Sequence, residues 1–240
     1  MAIMISFNTW GFILRLNLGE LPRKSNHIND SVKVFANWQK LHQSFYLRAS
    51  VVTVARELLG KILVTSFDGV TTAGRIVETE AYEGVGDKAS HAWNGRRTQR
   101  TEVMYAGGGT AYVFLCYGMH QMFNVVTNQK EIPHAILIRA LEPLTGVEEM
   151  LRRTGKAKHD YTLTRGPGNV AKALGISVIH TGALMAAKES NLYIADDGFS
   201  YTDEEVLATP RIGVDYAGDH ALWPYRFIVK GNKYVSGRKK

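Results

Sequence analysis

Cysteine is nearly absent from this chain: Cys116 stands alone among 240 residues. That excludes an intrachain disulfide, a cysteine-rich zinc site and an iron–sulfur cluster. It fits a reducing compartment, and the expected localisation is cytoplasmic, in a bacterial cytosol or nucleoid or the equivalent. No stretch is long and apolar enough to span a bilayer, so no membrane association is expected. Residues 3–15 resemble a short hydrophobic signal core, yet they lack a basic leader and a small-residue cleavage site, which argues against secretion. Internal repeats and low-complexity tracts are missing. Gly107-Gly108-Gly109 lacks the P-loop lysine and the dinucleotide fingerprint, so it is not read as a nucleotide cradle. His91 has no second His, Cys or carboxylate at ligand spacing, so neither a metal nor another cofactor is expected.

What remains is an ordinary globular composition, 45% apolar and 21% charged, sized for one large domain or a domain with an arm. The net charge of +7 favours an anionic partner such as nucleic acid, or an acidic membrane surface. Its placement says more. Lys88, Arg96, Arg97 and Arg100 crowd one segment, and Lys230, Lys233, Arg238, Lys239 and Lys240 crowd the C-terminus, where the last three read as a solvated end.

Residues 1–44 follow no clear period and read as an arm, with the domain proper over 45–240. Ser50 can cap a helix through about Leu59, with Val51, Val54, Ala55, Leu58 and Leu59 on one side and Gly60 as the stop. Lys61 to Thr65 and Val70 to Ala81 alternate like strands around Asp68-Gly69, a hairpin signal. Residues 84–110 form a long Gly- and Arg-rich connection of the kind that is functional or disordered. A second hairpin, Ala111 to Cys116 and Gln121 to Thr127, turns at Tyr117-Gly-Met-His120, and an apolar strand follows from His134 to Leu141. Thr145 with Glu148 predicts a capping box for a helix ending at Gly155. The stretch from Gly166 to Leu174 predicts a helix with proline in its first turn and Gly175 beyond its end. Arg211-Ile-Gly-Val-Asp and Tyr225 to Lys230 read as short strands. Strands in the middle with helices at intervals predict a mixed α+β domain.

Three anomalies carry the chemistry. In Gly74-Arg-Ile-Val-Glu-Thr-Glu-Ala-Tyr82, Glu78 and Glu80 fall on one face of an extended strand, together with Ile76 and Tyr82. A glutamate on a half-buried face must be paired, protonated or put to use. Two carboxylates roughly 6.5 Å apart along a strand fit glycosidic-bond cleavage, but i,i+2 neighbours project in parallel, so one glutamate activating water is simpler. The strand alone favours a structural role, with both glutamates paired to Arg75, Arg96 or Arg139. Arg139 itself sits in Ala-Ile-Leu-Ile-Arg-Ala-Leu and needs a partner, which Glu80 on a neighbouring strand would supply. Third, Tyr112 and Phe114 share a face, and Tyr117 and Met119 occupy a turn where small polar residues are usual. An exposed tip of that kind is suited to wedge into a DNA groove. His91 reads either as a contact in a pocket wall or as an exposed loop histidine.

Taken together, Gly74 to Tyr82, Ser90-His91, Arg96-Arg-Thr-Gln-Arg100, Tyr117-Gly-Met119, Asn124 and Ile138-Arg-Ala-Leu-Glu-Pro143 resemble the alkyladenine (methylpurine, or 3-methyladenine) DNA glycosylase family. The likeness continues through Gly166-Pro-Gly, Arg211-Ile-Gly-Val and Pro224-Tyr-Arg-Phe, and covers residues 45–237. The resemblance implies a single α+β domain around a curved, largely antiparallel β-sheet with flanking helices and a protruding hairpin. It implies a base excision repair enzyme, monomeric and metal-independent, that acts on double-stranded DNA containing damaged purines. Glu80 matches the water-activating glutamate, and Arg139 the arginine that helps position the water. Tyr82 and His91 match residues lining the pocket for a flipped-out base. Tyr117 matches the intercalating tyrosine, with Met119 beside it, and Asn124 the residue that disfavours normal guanine. Phe114 stands where some members have tyrosine, which keeps stacking and loses any hydrogen bond from the phenol. Arg96, Arg97 and Arg100 would hold phosphates. No lysine is evident in the proposed pocket as an amine nucleophile, so a monofunctional enzyme that leaves an abasic site is expected. A non-catalytic nucleic-acid-binding module is the alternative, and a sugar glycosidase is weaker because it leaves the basic loop and the wedge unexplained.

Overall fold

The computed structural model describes residues 37–237. The expectations for residues 1–36, including the signal-like 3–15, and for the tail at 238–240 fall outside the described residues. Regular structure starts before Phe45. A two-residue strand β1 (Gln39–Lys40) and a short helix α1 (Gln43–Tyr46) precede α2 (Val51–Glu57). The Ser50 side chain caps α2 by accepting from the Thr53 N–H at 3.1 Å. Val51, Val54, Ala55, Leu58 and Leu59 are all buried, as the helical period requires. Burial of each larger apolar side chain contributes about 1.5–3 kcal/mol.

Strands β2 (Ile62–Phe67) and β3 (Val70–Tyr82) form the first hairpin. Asp68 and Gly69 both have positive φ, 53° and 76°, which matches the twist of a two-residue turn. β4 (Ala111–Cys116) and β5 (His120–Thr127) form the second hairpin, followed by β6 (His134–Thr145). Helices α3 (Val147–Thr154) and α4 (Pro167–Leu174) come next, then β7 (Leu192–Asp196), β8 (Val206–Thr209) and β9 (Arg226–Val229). Among the described residues the domain is α+β, and its strands make one sheet of order β1-β7-β2-β3-β6-β5-β4, with β9 pairing to β3 and β8 to β9, every pairing antiparallel.

Two local expectations are corrected. Thr145 ends β6 rather than capping α3, whose N-cap is Gly146 at φ 72°. A Cβ at Gly146 would lie 2.5 Å from the Thr71 carbonyl oxygen, so the close approach of β3 selects glycine over a side-chain cap. Arg211-Ile-Gly-Val-Asp is not a strand. The apolar alternation there is overridden by a bend at Gly213, φ 76°, and the edge strand is the preceding Val206–Thr209.

The sheet has two differently covered faces. Val77, Ala81, Ile136, Ile138 and Ala140 join α2 and α4 in the main apolar core. The other face carries Glu78, Glu80, Tyr82 and Arg139, covered in part by the 84–110 connection. That connection holds three 3-10 turns and packs Ala92, Met104 and Tyr105 against Tyr112 and Val126. Within its Gly107-Gly-Gly run, Gly108 and Gly109 allow a close approach to Tyr46. A Cβ on Gly108 would lie 2.4 Å from the Tyr46 carbonyl oxygen.

Candidate active site

Strand β3 lies between β6 and β9 at its second half, and this register builds the site. Glu78 faces Ala140 and Ile228, while Glu80 faces Leu137 and Arg226. Register shifts on either side of Glu78 mark a β-bulge. The expected alternation fails at Ile76, which joins Val77 in the apolar core rather than sharing a face with the glutamates. The bulge re-aims the strand so that Glu78, Glu80 and Tyr82 point together.

Both glutamates are fully buried. Arg139 joins them, donating from Nε to Glu78 at 2.9 Å and from Nη1 to Glu80 Oε2 at 3.2 Å. Burial opposes its charge, but Glu80 and Glu78 outweigh that and hold the guanidinium above its usual range. Glu80 Oε2 also accepts from the Tyr82 hydroxyl at 2.8 Å, and Oε1 from the Ile212 N–H at 2.8 Å. Three donors from three chain segments therefore hold one carboxylate.

The Ile212 N–H is delivered by a buried bolt. Arg211 donates twice to Asp87, and also to the carbonyls of Ala81 at 2.9 Å and His220 at 3.0 Å. Both side chains of the pair are fully buried. Asp87 in turn accepts from the N–H groups of Glu83 and Ala89. The Arg211 guanidinium also lies 4.8 Å from the centre of the Tyr82 ring. The bolt ties the long connection to the bend after β8. The sequence motifs include Ile212 and Arg226 but assign no role to either, and Asp87 and Ser236 stand outside them. Arg226 carried a usable signal, because an arginine inside Arg-Phe-Ile-Val is the same anomaly as Arg139.

In front of this network lies a cavity of about 420 Å³, whose walls include Tyr82, His91, Tyr112, Phe114, Asn124 and Arg139. Glu80 lies behind Tyr82 and Arg139. The His91 ring meets Phe114 edge-on at 4.6 Å between centroids, and its Nδ1 is 2.8 Å from the Tyr112 hydroxyl. Burial, with Arg100 and Arg96 adding repulsion, pushes His91 down to about 4 from 6.5, so its ring is neutral at pH 7. Burial pushes the Tyr112 phenol up to about 12 and the Tyr82 phenol up as well, the latter aided by Glu80. Asn124 spends its amide on the carbonyls of Tyr112 and Met122.

At the cavity edge the second hairpin ends in an exposed tip. Tyr117 is 89% exposed and Met119 73% exposed. Tyr117 has φ 51°, an uncommon conformation for a bulky residue. The three loop arginines separate. Arg96 and Arg100 are exposed, without an ion pair among the described residues. Arg97 is bound by Glu102 at 2.7 Å and Glu131 at 2.5 Å, and its guanidinium lies 4.4 Å from the centre of the Tyr105 ring.

The fold and site define an α+β protein in which an aromatic cleft fronts a buried carboxylate–guanidinium pair beside an exposed aromatic hairpin. The family profile described as methylpurine-DNA glycosylase matches residues 44–233, and the chain belongs to that family. A protein of Chlamydia felis that carries the provisional name 3-methyladenine DNA glycosylase is 45% identical over 194 residues, 80% of this chain and 97% of that protein. One from Chlamydia pneumoniae, named alike, is 47% identical over 190 residues, covering 79% and 94%. A third, from Clostridium perfringens, is 42% identical over 204 residues, covering 82% and 98%.

Proposed function

We propose that this chain is a base excision repair glycosylase that removes alkylated purines from duplex DNA. The observation that carries the reading is Glu80, held by Arg139 and the Ile212 N–H directly behind an aromatic cavity large enough for a purine. A damaged nucleotide swings out of the helix, at a cost of a few kcal/mol that is least for poorly paired bases. Tyr117 fills the gap that it leaves, with Met119 alongside. The base stacks between Tyr82 and the His91–Phe114 wall, while Asn124 faces its edge.

Glu80 then takes a proton from a water whose oxygen attacks C1′ of the deoxyribose. The C1′–N bond breaks and its electron pair leaves with the base, so one water and one nucleotide give a free base and an abasic sugar. A cationic alkylpurine leaves readily, and a single general base suffices. The Tyr82 hydroxyl and Arg139 share Glu80 Oε2, while Oε1 accepts only the Ile212 N–H and keeps capacity to receive a proton from water. Among the described residues no lysine lines the cavity, which supports hydrolysis without an imine and without strand cleavage.

The test is base release from a methylated duplex. Glu80→Gln is expected to lower the rate by at least about 100-fold while the duplex still binds. Wild-type release by that variant would remove Glu80 from the reaction. Binding without release by the native chain would identify a non-catalytic damaged-DNA or RNA binding module instead.

A further inference from the structure

The mechanism leaves Glu78 unused, although four hydrogen bonds from three residues converge on its buried carboxylate. Its Oε1 accepts from Arg139 Nε at 2.9 Å, Arg226 Nε at 2.7 Å and Ser236 Oγ at 2.9 Å. Its Oε2 accepts from the Ser236 N–H at 2.6 Å. Ser236 lies beyond β9 and returns to the sheet to touch every member of this group. Its Oγ accepts from Arg139 Nη2 at 3.2 Å, and its carbonyl oxygen accepts from Arg226 Nη2 at 2.5 Å.

A guanidinium is a rigid planar fork. Fixing Nε on Glu78 and Nη2 on Ser236 leaves Nη1 one direction in which to point, and that direction is Glu80. The charges follow the same logic. Glu78 and Glu80 are two anions, Arg139 and Arg226 two cations. With Arg226 holding Glu78, Arg139 need not turn its whole fork onto that carboxylate and can keep a donor for Glu80. A purely stabilising salt bridge would not need Ser236. Ser236 is uncharged and only partly buried, yet it is the group that fills the third nitrogen of Arg139.

We propose that Glu78, Arg226 and Ser236 are positioning residues for the glycosylase reaction: they set the orientation of Arg139, and through it the geometry of water and carboxylate at Glu80. The inference rests on the function proposed above. A misplacement of about 1 Å at a reacting centre can cost about 100-fold in rate, so a frame that fixes one guanidinium is worth building from two strands and the C-terminal segment.

The test uses the full chain and a duplex with one methylated purine. Ser236→Ala removes the hydroxyl and keeps the N–H, and Ser236→Thr keeps both. Single-turnover base release, affinity for the same duplex and thermal midpoint are measured for each. Ser236→Ala is expected to slow release about tenfold, with affinity held within about twofold and an unchanged thermal midpoint, and Ser236→Thr to restore most of the rate. Arg226→Lys, which keeps the charge and loses the fork, is expected to slow release in the same way and gives an arm independent of Ser236. Native rates in both Ser236→Ala and Arg226→Lys would overturn the proposal. So would a slower rate fully accounted for by weaker DNA binding or by unfolded protein. An absence of base release by the native chain would overturn this inference and the glycosylase reading together, whereas native activity with unaffected variants would overturn this inference alone.

Discussion

His91 shows how one residue's environment decides its chemistry. Its ring is packed edge-on against Phe114, bonded to the Tyr112 hydroxyl and flanked by Arg96 and Arg100. Burial is the largest cause of its depressed value, about 4 against 6.5, and the two arginines add to it. The unfolded chain therefore binds a proton at this position that the folded chain refuses. Its contribution to stability is fully present above about pH 6.5 and is lost as pH falls toward 4. The loss is up to about 3 kcal/mol. His91→Gln should flatten that part of the curve, so the gap between native and variant urea midpoints should change from pH 7 to pH 4. Parallel curves would show that the ring is not held neutral. At neutral pH the ring stays uncharged, so under the proposed function it would meet a base without adding a positive charge.

At the scale of elements, the bend after β8 matters more than its length suggests. It carries Arg211, whose ion pair with Asp87 is fully buried, and Ile212, whose N–H holds Glu80. Removing one partner leaves an uncompensated buried charge, which costs about 3–5 kcal/mol. Arg211→Gln should therefore lower stability by that amount in urea unfolding. In conditions where the variant stays folded, base release should fall as well, because the Glu80 donor is no longer anchored. A fall in stability of less than about 1 kcal/mol would mean that the pair is not carrying the bend. This element is also poorly described by its local sequence pattern. Ile212 and Val214 alternate as in a strand, but the conformation is set by partners far along the chain, Asp87 and Glu80, which no local pattern encodes. The same holds for the bulge at Glu78 and for Ser236. Where local chemistry suffices, the sequence was legible: the Ser50 cap, the Asp68-Gly69 turn and proline at the start of α4 all stand as expected. So were the gathering of Tyr82, His91, Phe114, Asn124 and Arg139 around one cavity and the exposure of Tyr117, because the motifs carrying them were read together. The frame behind Arg139 was legible only in part: Glu78 stands out as a strand carboxylate that could pair with Arg139, whereas Ser236 looks like an ordinary tail residue until the sheet is assembled.

Across the whole molecule, the charge of +7 is an expectation about DNA only to the extent that the cations are available. The loop arginines divide on this point. Arg97 clasps the 84–110 connection to Glu102 and to Glu131, and its charge is answered by two carboxylates. Arg96 and Arg100 stand exposed on the same connection, close enough to His91 to depress it. A cation that displaces counterions from a phosphate contributes about 0.9 to the slope of log affinity against log salt. Arg96→Ala and Arg100→Ala should each reduce that slope by roughly 1 and weaken binding to damaged and undamaged duplexes alike. Arg97→Ala should leave the slope nearly unchanged, because no phosphate contact is lost, and should instead loosen the loop that carries His91. Titrations of one duplex at several salt concentrations, for the three variants side by side, separate the two roles. Equal slope changes in all three would show that Arg97 leaves its carboxylates when DNA binds and serves as a third phosphate contact. A slope unaffected by Arg96 and Arg100 would move the DNA path away from this loop altogether.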